Sequence, residues 1–393
     1  MFSIENFYYI LYKNLLEPAR FAGGYFYPFG STNPHNLQNY FTTYDVTRGA
    51  DYRPHRVLFY DQEPLFENVV DSLKEPFYYT NKICKLLANS EHSPIKKTIC
   101  KEKGYIDWYY FYHGFAALDW YRDFQYLPNL EHNFSKVFIS YNRLVTKDRS
   151  YRLILGSQLI KHDLVKSGHV SLILEDNGYG CWEDEINDPM TKIPKEAIPD
   201  IKNYIGSLKN SLIIDKENPQ GFLSAESDAD SYIRNQSALW HVVTETIFYH
   251  DKLHLTEKIF KPIISKRPFI LIGATGNLAY LKGYGFKTFD RWIDESYDFE
   301  SDPYKRISMA VAELKKLCSL SMSQLKEMHK EMQDILEFNF NHLYGGEFRS
   351  IITNELVDNF ANAVHQWNHA RIDDRTVDIS HINLDKVKQL LRN

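Results

Sequence analysis

The chain has 393 residues, long for one domain and comfortable for two. Hydrophobic residues make up 44% and charged residues 25%, which supplies a large core and excludes an intrinsically disordered chain. A net charge of −5 argues against a protein that coats nucleic acid by overall charge, although a local basic groove stays open.

The first residues, "MFSIENFYYILYKNLLEPAR", carry Glu5 and Lys13 inside the apolar stretch, unlike a signal peptide. No run approaches the length of a membrane span. Cys84, Cys100, Cys181 and Cys318 lack paired metal-ligand spacing, and so few in so long a chain suit a reducing compartment. The expectation is a cytoplasmic protein. Its 28 Tyr and 25 Phe are read mainly as core and strand filling.

Along the chain, β-rich runs end in polar residues and give way to helical segments. The runs are "HRVLFYDQEP", "CKLLANSEHS", "IDWYYFYHG", "KVFISYNR", "HVSLILEDNG", "NSLIIDKEN", "ALWHVVTET" and "RPFILIGATG". This alternation predicts parallel α/β architecture. In "SYRLILGSQLIKHDLVKSG", Leu153, Leu155, Leu159 and Ile160 give a helix a partial apolar face. From Pro303 onward long amphipathic helices are expected, with Leu325, Met328, Met332 and Ile335 forming a core stripe. "LPNLEHNFS" marks a boundary. The expected organisation is an N-terminal α/β domain over 1–133, a second over 134–345 and a helical segment over 346–393.

Open parallel sheets bind ligands beyond the carboxyl ends of their strands. In the first half those ends deliver Asp61 with Glu63, Glu91 with His92, and His113. In the second half they deliver Asn142 with Arg143, Glu175, Glu245 and the glycine turn from Gly273 to Gly276. The first set suits base chemistry and the second an anion.

"HLTEKIFKPIISKRPFILIGA", from His254, sharpens the second reading. Thr256 can cap a helix whose first turn holds Glu257 and Lys258. A helix start favours a phosphate, Lys258 adds a full charge, and an ionised Glu257 can accept from ribose hydroxyls. Pro262 falls past that first turn, so a kink or an earlier start is required. The same residues also suit an ordinary capped helix with a solvated Glu–Lys pair. Arg143 and Arg152 offer two guanidinium forks for a diphosphate, with surface salt bridging as the alternative.

Asp228, Ala229 and Asp230 have an Asp-x-Asp spacing but sit in a polar loop, read as solvated. His162, His169 and His241 are read as structural. There is no Walker loop, dinucleotide fingerprint or zinc-protease helix, and no metal site is expected.

"VVTETIFYHDKLHLTEKIFKPIISKRPFILIG" resembles the donor-binding signature of the α1,3-fucosyltransferase family. The Thr-Glu-Lys triplet falls on Thr256, Glu257 and Lys258, and Pro268 with Gly273 matches the following strand. Glu245 takes the place of the upstream glutamate. His254 stands where that family has tyrosine, Thr246 stands near its asparagine, and the spacer differs, so GDP-fucose specificity does not transfer. The wider pattern, including "FYHGFAALDWYRD" and "GYGFKTFDRWIDESYD", is similar to glycosyltransferase-like proteins of large tailed phages.

The resemblance implies a GT-B fold, two Rossmann-like domains facing a cleft, and an inverting, metal-independent glycosyltransferase. A nucleotide-diphosphate sugar would be the co-substrate, with no further cofactor. Donor contacts would come from Arg143, Arg152, Glu245, His254, Thr256, Glu257, Lys258 and Gly273. Glu63 would match the catalytic base, with Glu91 and His113 as runners-up. The implied acceptor is a hydroxymethylated pyrimidine in phage DNA, in the host cytoplasm; "DWYYFYHGFAALDWY" could stack such a base or equally pack as core. A surface glycan as acceptor, or a non-catalytic nucleotide- or glycan-binding module, are the alternatives.

Overall fold

The computed structural model describes residues 3–21, 24–26, 55–65, 83–127, 134–176, 180–214, 229–249, 251–370 and 376–393. The expected α/β class with parallel sheets is what the chain adopts. It divides into two compact units, Met1–Asp119 joined by Gly345–Asn393, and Trp120–Tyr344.

The first unit holds a parallel sheet of β1 (Gly24–Phe26), β2 (His55–Tyr60), β3 (Ile83–Asn89) and β4 (Ile106–Tyr109), in that spatial order. Val57, Leu58, Phe59 and Tyr60 of β2 are all buried, the unbroken burial expected of a strand covered on both faces. The Glu347–His369 helix returns to this unit with Phe348, Ile352, Leu356, Phe360 and Val364 along one buried stripe. It meets β4 directly. Trp108 Nε1 donates to the Leu356 carbonyl at 3.1 Å, Asn359 donates to the Tyr109 carbonyl at 2.9 Å, and the Trp108 and Phe360 rings lie 5.1 Å apart. The Leu384–Arg392 helix packs on it and on Ile4–Leu11. Residues 346–393, read from sequence as a helical segment, thus complete the core of the first unit.

The second unit's sheet runs β10 (Phe269–Ile272), β9 (Ala238–Thr244), β5 (Lys136–Ser140), β6 (Gly168–Val170), all parallel. A two-residue hairpin, β7 (Glu175–Asp176) with β8 (Gly180–Cys181), stands apart. Every residue of β9 and β10 is buried. "NSLIIDKEN" is not a strand where it is described: Leu212 makes a single bridge to Leu172, and Ile213 is 67% exposed. With one pairing position and no face to cover it, that apolar run cannot extend a ladder. Of the predicted stripe, Leu325 and Met332 are fully buried, whereas Met328 and Ile335 are partly so.

The predicted boundary segment lies mostly outside the described residues, as does Asp228. Pro262 is accommodated by splitting its helix. A 3-10 turn, Glu257–Ile259, precedes a short α segment, Phe260–Ile264, so the missing N–H falls within the α segment's first turn.

Gly114 lies where the returning helix touches the Tyr112–Trp120 helix. A Cβ there would stand 2.9 Å from Phe348 Cζ and 3.2 Å from Ile352 Cδ1. Gly114→Leu should therefore destabilise the protein by about 1–3 kcal/mol through overpacking. An unchanged urea midpoint would show that the two helices do not meet this closely.

Candidate functional site

In the second unit, β6 lies on one side of β5, while β9 and β10 lie on the other. Strand order therefore reverses between β5 and β9, the kind of switch point at which open α/β sheets bind ligands outside the carboxyl ends of their strands. Asn142 and Arg143 follow β5; Glu245 and Thr246 follow β9. In the first unit the described strands run in sequential order, with no such reversal.

Glu245 is completely buried. Its carboxylate accepts the Thr256 hydroxyl at 2.6 Å, the Thr256 N–H at 3.3 Å and the Thr246 N–H at 3.3 Å. Burial pushes its pKa up, and the Lys258 ammonium and the Thr256 bonds pull against that rise. The carboxylate is an acceptor when ionised, so the Thr256 hydrogen points to it and the hydroxyl oxygen faces Lys258. That oxygen lies 3.4 Å from Lys258 N and 3.2 Å from Lys258 Nζ. The ammonium also reaches Thr246 Oγ1 at 3.4 Å and Glu257 Oε1 at 3.0 Å. The Lys258 side chain keeps 29% exposure, against 4% for Glu257. A fixed cation thus reaches solvent at the switch point, with its partner carboxylate behind it.

The remaining predicted donor residues frame this cluster in different ways. His254 is buried, exchanging backbone contacts with the Asn277 side chain at 3.2 and 3.4 Å. Gly273 leaves no room for a side chain, since a Cβ would stand 2.7 Å from Asn277 Nδ2. Arg143 is half-buried at the β5 exit. Arg152, expected at a diphosphate, instead donates to the Leu144 carbonyl at 3.0 Å and the Thr244 carbonyl at 3.1 Å. With both terminal nitrogens on backbone carbonyls and 4% exposure, it ties the β5 and β9 exits together. Tyr151 adds a bond to the Glu245 carbonyl at 2.6 Å, and Arg306 one to the Phe248 carbonyl at 2.9 Å.

The glycine turn does not present a helix start to an anion. The Asp298 carboxylate already accepts the Leu278 and Ala279 N–H groups at 2.9 and 3.1 Å. Gly276 takes φ 83°, which a side chain would strain, and donates to the Asp298 carbonyl at 2.8 Å. Asn277 is legible as the polar residue after a glycine turn; nothing in "DESYD" marked Asp298 as its neighbour's cap.

In the first unit, Glu63 is exposed in the bend after β2. Glu91 is 1% exposed and accepts the Leu65 N–H at 2.7 Å and the Ser93 hydroxyl. His113 is buried, its Nε2 3.1 Å from the Gln62 carbonyl. Asp61 is also buried; it accepts the hydroxyls of Tyr8, at 3.0 Å, and Tyr110. Burial lifts its pKa to about 7, and both tyrosine bonds oppose the rise. Burial and Asp61 in turn push both tyrosines well above their ordinary value, so they stay donors. The aromatic segment considered for base stacking is core: Trp108, Tyr110, Phe111, Tyr112 and Phe115 are all buried.

His241 and His169 bond the Asn235 carbonyl and the Ser237 hydroxyl, as structural histidines do. Among the described residues no His, Cys, Asp and Glu group of three could hold a metal, and no helix is long and apolar enough to cross a membrane.

No family model and no curated protein matches the chain. Among solved structures it is similar to the DNA-modifying enzyme β-glucosyltransferase, determined in the presence and absence of uridine diphosphoglucose. Identity is 10% over 78% of this chain and 74% of that one, with a TM-score of 0.38.

The buried Asp61 makes stability depend on pH. Its folded pKa lies above the unfolded value near 4, so the folded state holds the extra proton between about pH 4 and 7. That contribution is complete below the unfolded pKa and is lost as pH rises through about 7, at up to about 1.4 kcal/mol per unit. Asp61→Asn, which cannot ionise, should flatten the profile and gain on the wild type at pH 8. Parallel denaturation profiles at pH 5 and pH 8 would show that Asp61 does not hold this proton.

Proposed function

We propose that the chain is a GT-B-type glycosyltransferase that moves a sugar from a nucleoside-diphosphate sugar to an acceptor hydroxyl. The observation that carries this reading is the Glu245–Thr256–Lys258 cluster at the strand-order reversal of the second unit. There Lys258, with Arg143 across the β5 exit, offers positive charge to a leaving diphosphate. Glu245 and Thr256 fix that charge, Glu257 balances it, and His254, Gly273 and Arg152 shape the surrounding backbone.

Each role is assigned within one unit, donor binding to the second and base catalysis to the first. Glu63 takes the acceptor proton as the acceptor oxygen bonds to the anomeric carbon. The bond to the diphosphate breaks, and the leaving group departs as the nucleoside diphosphate. A single displacement of this kind inverts the anomeric centre. Positive side chains rather than a divalent ion stabilise the departing charge. The resemblance to tailed-phage proteins directs the acceptor toward a hydroxymethylated pyrimidine in DNA, which leaves the base stack to react.

Two measurements test the reading. Lys258→Ala should weaken nucleoside-diphosphate binding by about 1.5–3 kcal/mol, the scale of a charged hydrogen bond. Calorimetry on the folded variant giving unchanged affinity would remove Lys258 from the site. Transfer onto hydroxymethylated duplex DNA, followed by mass spectrometry with EDTA present, should proceed with the wild type and fall about 10²–10⁴-fold in Glu63→Gln. Near-normal turnover in that variant would dismiss Glu63. Transfer to a glycan alone would reassign the acceptor, and nucleotide binding without any transfer would leave only a binding module.

A further inference from the structure

Three groups at the strand ends of the first unit carry chemistry suited to a base: Glu63, Glu91 and His113. Of the five residues from 61 to 65, only Glu63 is exposed. Its four neighbours are buried, and three of them are held by polar side chains from elsewhere in the unit.

The ties come from separate elements. Tyr8, on the Ile4–Leu11 helix, bonds Asp61 and receives the Gln62 side-chain amide at 3.0 Å. Tyr110, just past β4, bonds the same Asp61 oxygen. His113, on the Tyr112–Trp120 helix, meets the Gln62 carbonyl. A carbonyl only accepts, so His113 Nε2 carries the proton and donates it there. Glu91, past β3, takes the Leu65 N–H through Oε2, while its Oε1 takes the Ser93 hydroxyl. Ser93 also caps the Pro94–Lys103 helix by accepting Lys96 N–H at 3.0 Å. Both Glu91 oxygens are therefore engaged in a buried, rigid setting, and His113 uses the nitrogen that faces the bend.

We infer that Glu91 and His113 are positioning residues which clamp the two sides of the 61–65 bend and thereby fix the exposed carboxylate of Glu63. The assignment rests on the proposed transfer reaction for its functional meaning, but the clamp itself does not. Glu91 holds the bend at its far side through Leu65, and His113 holds it at its near side through Gln62. A clamp of this kind matters because displacement of a reacting group by about 1 Å can cost on the order of 10²-fold in rate.

The test separates a clamp from a base by keeping the hydrogen bond while removing the basicity. Glu91→Gln retains a carbonyl oxygen for Leu65 N–H, and His113→Gln retains an N–H donor for the Gln62 carbonyl. Glu91→Ala should lower kcat about 10–100-fold with nucleoside-diphosphate affinity unchanged, and Glu91→Gln should restore most of that loss. His113→Gln should likewise keep most of the turnover lost in His113→Ala. Hydrogen exchange at the Leu65 amide reads the clamp without any transfer: it should accelerate in Glu91→Ala and stay slow in Glu91→Gln. Turnover in Glu91→Gln or His113→Gln as low as in Glu63→Gln would make that residue the base and overturn the inference. So would unchanged Leu65 exchange in Glu91→Ala, or, should that variant not fold, fast exchange in Glu91→Gln. If the wild type transfers no sugar at all, the glycosyltransferase reading fails, and the exchange measurements still decide the clamp.

Discussion

A buried carboxylate at the end of β9 organises the second unit. Taking the Glu245 side chain out of water costs several kcal/mol unless its oxygens are fully bonded. The chain meets that demand from residues eleven positions later, with the Thr256 hydroxyl and N–H, and from the adjacent Thr246 N–H. Because the Thr256 hydroxyl spends its hydrogen on the Glu245 carboxylate, the direction of the following bond is set. The Thr256 oxygen turns its lone pairs to Lys258, and the ammonium is fixed without being buried. The excursion between β9 and the Thr-Glu-Lys turn is therefore closed by polar bonding at the carboxyl end of β9.

The first unit uses the same kind of resource differently. Asp61 and Glu91 are also strand-end carboxylates removed from water, but their partners are tyrosine and serine hydroxyls and a backbone N–H. Burial outweighs the tyrosine hydrogen bonds at Asp61, and its pKa rises to about 7. Such a network rigidifies a turn, because each bond lost would leave a buried polar atom unsatisfied. One unit thus holds a cation that reaches solvent, and the other a bend that carries the exposed Glu63, each with buried polar groups behind it.

Positive charge in the second unit is also narrowed by its own backbone. Arg152 and Arg306 face carbonyl oxygens at strand exits and loops, and the start of the Asn277–Gly283 helix is filled by Asp298. Guanidinium groups suit that task, since their planar fork can hold two carbonyls of different segments at once. Under the proposed function, Lys258 and Arg143 are the predicted donor residues assigned to an anionic ligand.

Much of this was legible from the sequence. Apolar runs ending in polar residues located β2 to β6, β9 and β10, because a strand buried on both faces must be apolar throughout and must stop where ligands or solvent begin. The Thr-Glu-Lys turn and the upstream Glu245 were found as residues, since capping and charge are local properties. What the sequence could not decide was who faces whom. Arg143 and Arg152 read alike, yet one stands at a strand exit and the other is turned into two carbonyls. Glu63, Glu91 and His113 read as three candidate bases, yet only Glu63 reaches solvent. The aromatic run "DWYYFYHGFAALDWY" read as a stacking surface or a core, and the helix returning from residue 347 makes it a core. Local pattern fixes residue type and period, whereas exposure and hydrogen-bond partners arise from segments far apart in the chain, which only the tertiary structure brings together.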